Sequence, residues 1–227
     1  MDVRLLFHTP EPERAIAAAA RLCYAPVGAA ELLETMSPEA VHRVLKIIIS
    51  GGHDSALEHA GYTFAIDGVS RALTHQLVRH RVASYNQQSQ RYVSYAEEPQ
   101  FIVPPSVAAD PAALKRFKAA NAAAFGAYRE LLDSGIAAED ARYLLPNAME
   151  TKIVVTMNAR ELLHFFELRC CNRAQWEIRD LALRMLELAE PTAPYVFLDA
   201  GAACRRGPCR EGKMTCGDPY PRAPKRD

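Results

Sequence analysis

Apolar positions alternate with polar ones in a few short runs, and recur at helical spacing in several longer ones. Val3-Arg4-Leu5-Leu6-Phe7 reads as a first strand. Thr9, with Pro10 just inside, predicts a helix running through Ile16 to Leu22. A short helix over residues 29–36 follows. Ser37 then caps another helix, again with a proline behind it. Val41, Val44, Leu45 and Ile48 are its apolar stripe, and Gly51-Gly52 stops it. Residues 61–66 read as a strand, with Tyr62, Phe64 and Ile66 on one face. Ser70 begins a helix carrying Ala72, Leu73, Leu77 and Val78.

The stretch after Arg81 is rich in Ser, Asn and Gln and reads as a structured loop. Asp110-Pro111 opens a long Ala-rich helix that ends at Gly135. A short helix spans residues 138–144 before Pro146, and β-branched Ile153-Val154-Val155 marks a strand over 151–157. Asn158, with Glu161 three residues on, caps a helix over 159–168. A last helix runs over 174–190, ahead of Pro191. Strands and helices intermix without a βαβ repeat. The simplest reading is one α/β domain over residues 1–200, followed by a Cys/Gly/Pro-rich tail over 201–227.

Composition narrows the function. Lysine plus arginine equals aspartate plus glutamate, 27 each, so no global basic field marks a nucleic-acid binder. No run approaches the roughly 18 apolar residues of a membrane helix. The first residues lack the apolar core of a signal peptide, so a cytoplasmic protein is expected. Cys23, Cys170 and Cys171 lie in or beside helical patterns and read as buried thiols. Cys204, Cys209 and Cys216 fall in a tail read as loose, reduced in a cytoplasm and short of a four-ligand zinc site; no metal is expected.

The chemistry concentrates in residues 79–91, Arg-His-Arg-Val-Ala-Ser-Tyr-Asn-Gln-Gln-Ser-Gln-Arg, which contain no acid. Arginine forks fit phosphate, and the hydroxyls and amides add neutral hydrogen bonds to a planar ring. On one helix Arg79 and Arg81 would point ~200° apart. Either the helix breaks there or the two serve different ligands. His53-Asp54-Ser55-Ala56-Leu57-Glu58-His59 is not a zinc-protease motif. Ser55 is placed to meet a phosphate there, and Glu58 to cap or to pair with a signature arginine. Arg160 and His164 share a helix face, with Arg169 about half a turn away. There is no G-x-G-x-x-G and no P-loop.

The order R-H-R-x-x-S-x-N-x-x-S-x-R resembles the signature of the flavin-dependent thymidylate synthases. The segments G-H-x-S-x-x-E-H, A-R-Y-L-L-P, N-A-R-E-L-x-H-F-x-x-L-R and A-Q-W-E-I-R resemble further blocks of that family, in its order. The resemblance implies an α+β arrangement, with a mixed or antiparallel sheet packed by long helices, in a homotetramer with shared sites. It implies FAD, NADPH and 5,10-methylenetetrahydrofolate, and reductive methylation of dUMP to dTMP. Ser55, Arg79, His80, Arg81, Gln87, Asn158, Ala159, Arg160 and His164 match FAD positions. Gln76, Leu77, Val78, Arg79, Gln87, Gln88, Ser89, Gln90, Arg91, Arg142 and Arg169 match dUMP positions, with Ser89 and Arg91 near the phosphate. Gln87 and His164 stand where some members have Glu and Asn.

The resemblance places Arg169 against the uracil ring as the catalytic residue. There a guanidinium stabilises charge that develops when N3 loses its proton. Ser89 has no adjacent base and is expected to be a contact, not a nucleophile. A non-catalytic flavin- or nucleotide-binding regulator is the alternative. An RNA-binding role has only Tyr85, Tyr92 and Tyr95 for stacking.

Overall fold

A computed structural model describes residues 1–95, 97–221 and 223; the end of the expected tail lies outside the described residues. Four strands, β1 (Asp2–His8), β2 (Gly61–Ser70), β3 (Ala83–Gln87) and β4 (Glu150–Asn158), form one sheet in the order β1-β2-β4-β3. The helices are α1 (Pro12–Leu22), α2 (Ala29–Thr35), α3 (Pro38–Ser50), α4 (Arg71–Leu77), α5 (Pro105–Ala108), α6 (Pro111–Asp133), α7 (Ala138–Ala141), α8 (Ala159–Arg169), α9 (Trp176–Ala189) and α10 (Pro194–Phe197). The result is a mixed helical and antiparallel-sheet domain.

Two compact units make up the chain. The first comprises Met1–Asp2, Ile66–Arg79 and Asn86–Ile153; the second comprises Val3–Ala65, His80–Tyr85 and the chain from Val154 onward. In the first unit, Ser70 Oγ accepts from Leu73 N–H at 3.0 Å and starts α4. Leu73 and Leu77 are fully buried, each worth about 1.5–3 kcal/mol of transfer free energy. Asp110 Oδ1 caps α6 by accepting from Ala112 and Ala113. That long helix sets Phe125 and Tyr128 in a cluster with Ala141, Phe101 and Leu145.

In the second unit, Ser37 caps α3 as expected, its Oγ accepting from Ala40 N–H at 3.3 Å. Tyr62, Phe166 and Phe197 pack edge to face, with centroids 5.6 and 6.1 Å apart. Thr63 and Thr156 pair through their hydroxyls at 2.9 Å.

Three local expectations need correction. Helix α1 begins at Pro12 rather than Pro10, because Glu11 takes a left-handed φ of 41° and Thr9 Oγ1 instead accepts from Gly61 N–H at 2.9 Å. The stretch read as a loop after Arg81 contains strand β3. Its Ser, Asn and Gln residues have little strand propensity; the pairing is supplied by its neighbour in the sheet. Cys23 is exposed and Cys171 only partly covered, whereas Cys170 is buried as expected.

Candidate active site

In the second unit, Asn158 Oδ1 accepts from Glu161 N–H at 2.9 Å, so the predicted cap of α8 is present. Ala159 is fully buried and its N–H donates to Ala60 O at 2.8 Å. Ala159 thus offers neither an exposed side chain nor a free N–H for the expected cofactor contact. Residues 160, 164 and 167 follow i, i+4, i+7 spacing, and Arg160, His164 and Glu167 all line a cavity of about 660 Å³. Ile49, Leu57, Val82, Leu163 and Val196 supply its apolar wall.

Both arginines of this cavity are held by carboxylates. Arg160 Nη1 lies 2.5 Å from Glu58 Oε1. Glu58 thus pairs with Arg160, not with an arginine of the 79–91 signature, because the 3-10 helix Asp54–His59 presents it to the start of α8. Arg206 pairs with Glu167, and Arg210 Nη1 reaches the other oxygen of Glu167 at 2.8 Å. Arg206 comes from the tail, and no helical or strand pattern in the sequence pointed to it. The described part of that tail is not loose: Arg173 donates to Met214 O, Asn172 to Asp218, and Arg179 to Tyr220 Oη.

The donor set bears on FAD. Asp54, Glu58, Glu161, Glu167 and Asp199 outnumber the two arginines, so the cavity is not a plain anion trap. Carboxylates suit hydroxyl and ring N–H donors, arginines suit a diphosphate, and the aliphatic wall suits a ring face. That combination fits a dinucleotide. Ser55 is exposed on the same 3-10 helix but does not line the cavity.

A second stripe of α8 holds Glu161, which also borders the cavity, with Phe165 and Arg169 at i, i+4, i+8 spacing, and all three meet His80. Arg169 Nε donates to His80 Nε2 at 3.0 Å. Glu161 Oε1 faces His80 Nδ1 at 3.3 Å, the Phe165 ring stands edge-on at 4.9 Å, and Tyr85 Oη donates to His80 O at 2.7 Å. His80 is only 4% exposed. Burial first, then the charges of Arg169 and His164, push its pKa down to about 4. Burial raises that of Glu161 and lowers that of Arg169. Arg81 is exposed, and among the described residues its side chain has no partner.

In the first unit, α4 ends at Leu77, so the helix breaks before Arg79, one of the two outcomes the spacing allowed. Val78 and Arg79 are exposed, Gln76 is half-buried, and the Leu77 side chain has no open surface. Gln87 Nε2 donates to Thr74 Oγ1 at 3.1 Å and Thr151 Oγ1 at 3.3 Å, and Gln90 is buried against Met149 Sδ. Gln88 N–H donates to Lys152 O, and Ser89 Oγ accepts from Arg91 N–H.

Arg91 and Arg142 converge on one residue, as the sequence could not show. Arg91 Nε sits 2.5 Å from Glu139 Oε2, and Arg142 Nε donates to Glu139 O at 3.0 Å. Arg71, absent from the expected set, contacts Gln88 O and feels the charge of Arg142. Its place at the first position of α4 gave no signal. Among the described residues no group of three or more His, Cys, Asp or Glu is placed to hold a metal ion.

Arg91 beside Ser89, and Arg160 and Arg206 at the cavity, are side chains of the type that suits phosphorylated ligands. The family described as "Thymidylate synthase complementing protein" matches residues 4–195. Proteins named flavin-dependent thymidylate synthase are 59% identical in Geobacter sulfurreducens (96% of this chain, 94% of that protein) and 48% identical in Clostridium tetani (96% and 93%). A solved UMP/dUMP methylase, PolB from Streptomyces cacaoi bound with 5-Br dUMP, superposes with a TM-score of 0.73 at 27% identity. It covers 86% of this chain and 94% of its own. The chain belongs to the flavin-dependent thymidylate synthase family.

Proposed function

We propose that this chain methylates dUMP reductively to dTMP, with FAD as cofactor and 5,10-methylenetetrahydrofolate and NADPH as co-substrates. The observation that carries the reading is the two-sided helix α8. One stripe offers Arg160 and His164 to a dinucleotide-sized cavity, and the other holds Arg169 through a buried histidine. When bound, the reduced flavin supplies the hydride.

The protein's own part is to bind, orient and stabilise charge. Asn158, Arg160 and His164 form the cofactor wall, joined by Ser55, Arg79, Arg81 and Ala159 in the family pattern. Arg91, Arg142, Ser89 and the amides of Gln76, Gln87, Gln88 and Gln90 take the nucleotide, with Leu77, Val78 and Arg79 alongside. Arg169 stays cationic near neutrality despite its burial, so it works on uracil electrostatically and not as a base. Ser89 is a contact. Its hydroxyl accepts from Arg91 N–H, and no histidine or carboxylate is shown activating it.

The assembly read with this function is a homotetramer with shared sites, in the cytoplasm. Among the described residues no helix is long and apolar enough to cross a membrane. Residues 1–200 form the catalytic domain, and 201–227 an appended segment. A purely regulatory flavin-binding role is not favoured, since every arginine of the pattern is in place.

The test is tritium release from 5-tritiated dUMP with methylenetetrahydrofolate, NADPH and FAD. Arg169→Ala is expected to keep FAD and to lose at least about 10²-fold in turnover, the cost of one preorganised charge donor. A wild-type protein that takes up no FAD and releases no tritium sinks the proposal.

A further inference from the structure

We propose that His80 is a positioning residue for Arg169, acting as the fixed acceptor that aims the guanidinium, with Glu161 holding the imidazole in its Nδ1–H form. This rests on the reading of Arg169 given above, and it moves His80 out of the set of direct cofactor contacts. The residue sits in the middle of an arginine-rich signature, yet it is sealed inside the second unit while Arg81 beside it is exposed.

The argument begins with hydrogen-bond inventory. A guanidinium has only donors, so the 3.0 Å contact from Arg169 Nε requires a lone pair on His80 Nε2. A neutral imidazole with a bare Nε2 carries its proton on Nδ1. That nitrogen is closed to solvent and makes no hydrogen bond as it stands, but Glu161 Oε1 lies 3.3 Å away. A turn of the carboxylate closes the bond. Glu161 is itself buried and is set by its place on α8, whose N-terminus Asn158 caps.

The ring cannot swing. Phe165 stands edge-on to it, His164 lies 5.8 Å off by centroid, and Tyr85 pins the His80 carbonyl. An imidazolium here would set N–H against N–H. The low affinity of His80 for a second proton agrees with that geometry.

An arginine has several rotatable bonds, and its contribution to a transition state depends on where its planar fork points. Misplacement by about 1 Å can cost on the order of 10²-fold in rate. The chain Glu161–His80–Arg169 removes that freedom through one stripe of α8.

Two measurements test this. Long-range ¹H–¹⁵N imidazole spectra of the full chain at pH 7, with His80 assigned by its loss in His80→Gln, should show Nε2 unprotonated and Nδ1 carrying the proton. An Nε2–H tautomer overturns the proposal. In turnover assays, His80→Leu should lose about 10²-fold in kcat with dUMP KM and FAD content within about threefold of wild type. His80→Gln keeps a carbonyl acceptor for Arg169 and should recover most of that loss. Equal loss in both folded variants, or no loss in His80→Leu, also overturns it. If His80→Leu does not fold, the tautomer decides alone. Absence of any dTMP synthesis by the wild type would remove the proposed function and leave the tautomer result standing.

Discussion

Glu139 occupies Arg91 where the proposed function requires a phosphate, so removing its carboxylate should strengthen nucleotide binding. The Arg91–Glu139 pair has side chains 54% and 45% exposed. Exposed pairs of this kind are worth roughly 0.2–1 kcal/mol. Glu139→Ala therefore removes a competitor of that strength and should tighten dUMP binding about 1.4- to 5-fold. Arg142 keeps its bond, because that bond ends on the Glu139 backbone carbonyl. Arg91→Ala should act oppositely and more strongly. Loss of a charge-assisted hydrogen bond costs about 1.5–3 kcal/mol, or roughly 10- to 150-fold in affinity. Calorimetric titration with dUMP, and with deoxyuridine as the phosphate-free control, reads both effects. The gain in Glu139→Ala should shrink at high salt, where such charges are screened. Weaker dUMP binding in Glu139→Ala, or an equal change for deoxyuridine, would refute the assignment of Arg91 to phosphate.

Other outcomes follow from the same structure. The pKa of His80, about 4 in the fold against 6.5 for a free histidine, means the unfolded chain takes its proton first. The stability this confers is fully present above pH 6.5 and is lost as pH falls toward 4, on the order of 3 kcal/mol at most. Glu161, pushed up by burial, works in the opposite sense and softens the slope. Thermal melts across that window should steepen for wild type relative to His80→Gln, and parallel curves would contradict the linkage. Asn158→Ala deletes the cap of α8 and should cost about 1 kcal/mol, or roughly 2–4 °C in Tm. With an aromatic disulfide reagent at pH 8, exposed Cys23, Cys209 and Cys216 should react promptly. Cys170, buried and raised to about 12, should react only after denaturation.

What the sequence disclosed followed the range of the forces involved. Helix α3 was bounded by residues that act locally, Ser37 and Pro38 at one end and Gly51 at the other. The same holds for Asn158 at α8, and for the opposite faces given to Arg160 and Arg169. Strand β3 was missed because its order comes from a neighbouring strand, and the start of α1 because Thr9 finds a partner 52 residues away. The site divided the same way. The signature arginines could be named from their order, but the carboxylates that hold arginines in place could not. Glu139 and Glu167 join arginines across 48, 39 and 43 residues, and no local spacing announces such pairs. The described part of the tail is held, not loose, because its anchors, Asn172, Arg173 and Arg179, lie far off on the turn before α9 and on α9 itself.

Strand β3 explains why the signature is written with fixed gaps. Its side chains alternate, with Ala83, Tyr85 and Gln87 partly covered and Ser84 and Asn86 exposed. Inserting or deleting one residue between His80 and Gln87 would exchange these two sets, turning the Tyr85 ring outward and the Asn86 amide inward. A point substitution there removes one contact, but a change of length reassigns every contact after it. The unspecified positions of the motif are thus as constrained in number as the named ones are in kind. In this segment a substitution is a local change, whereas an insertion is a change of register.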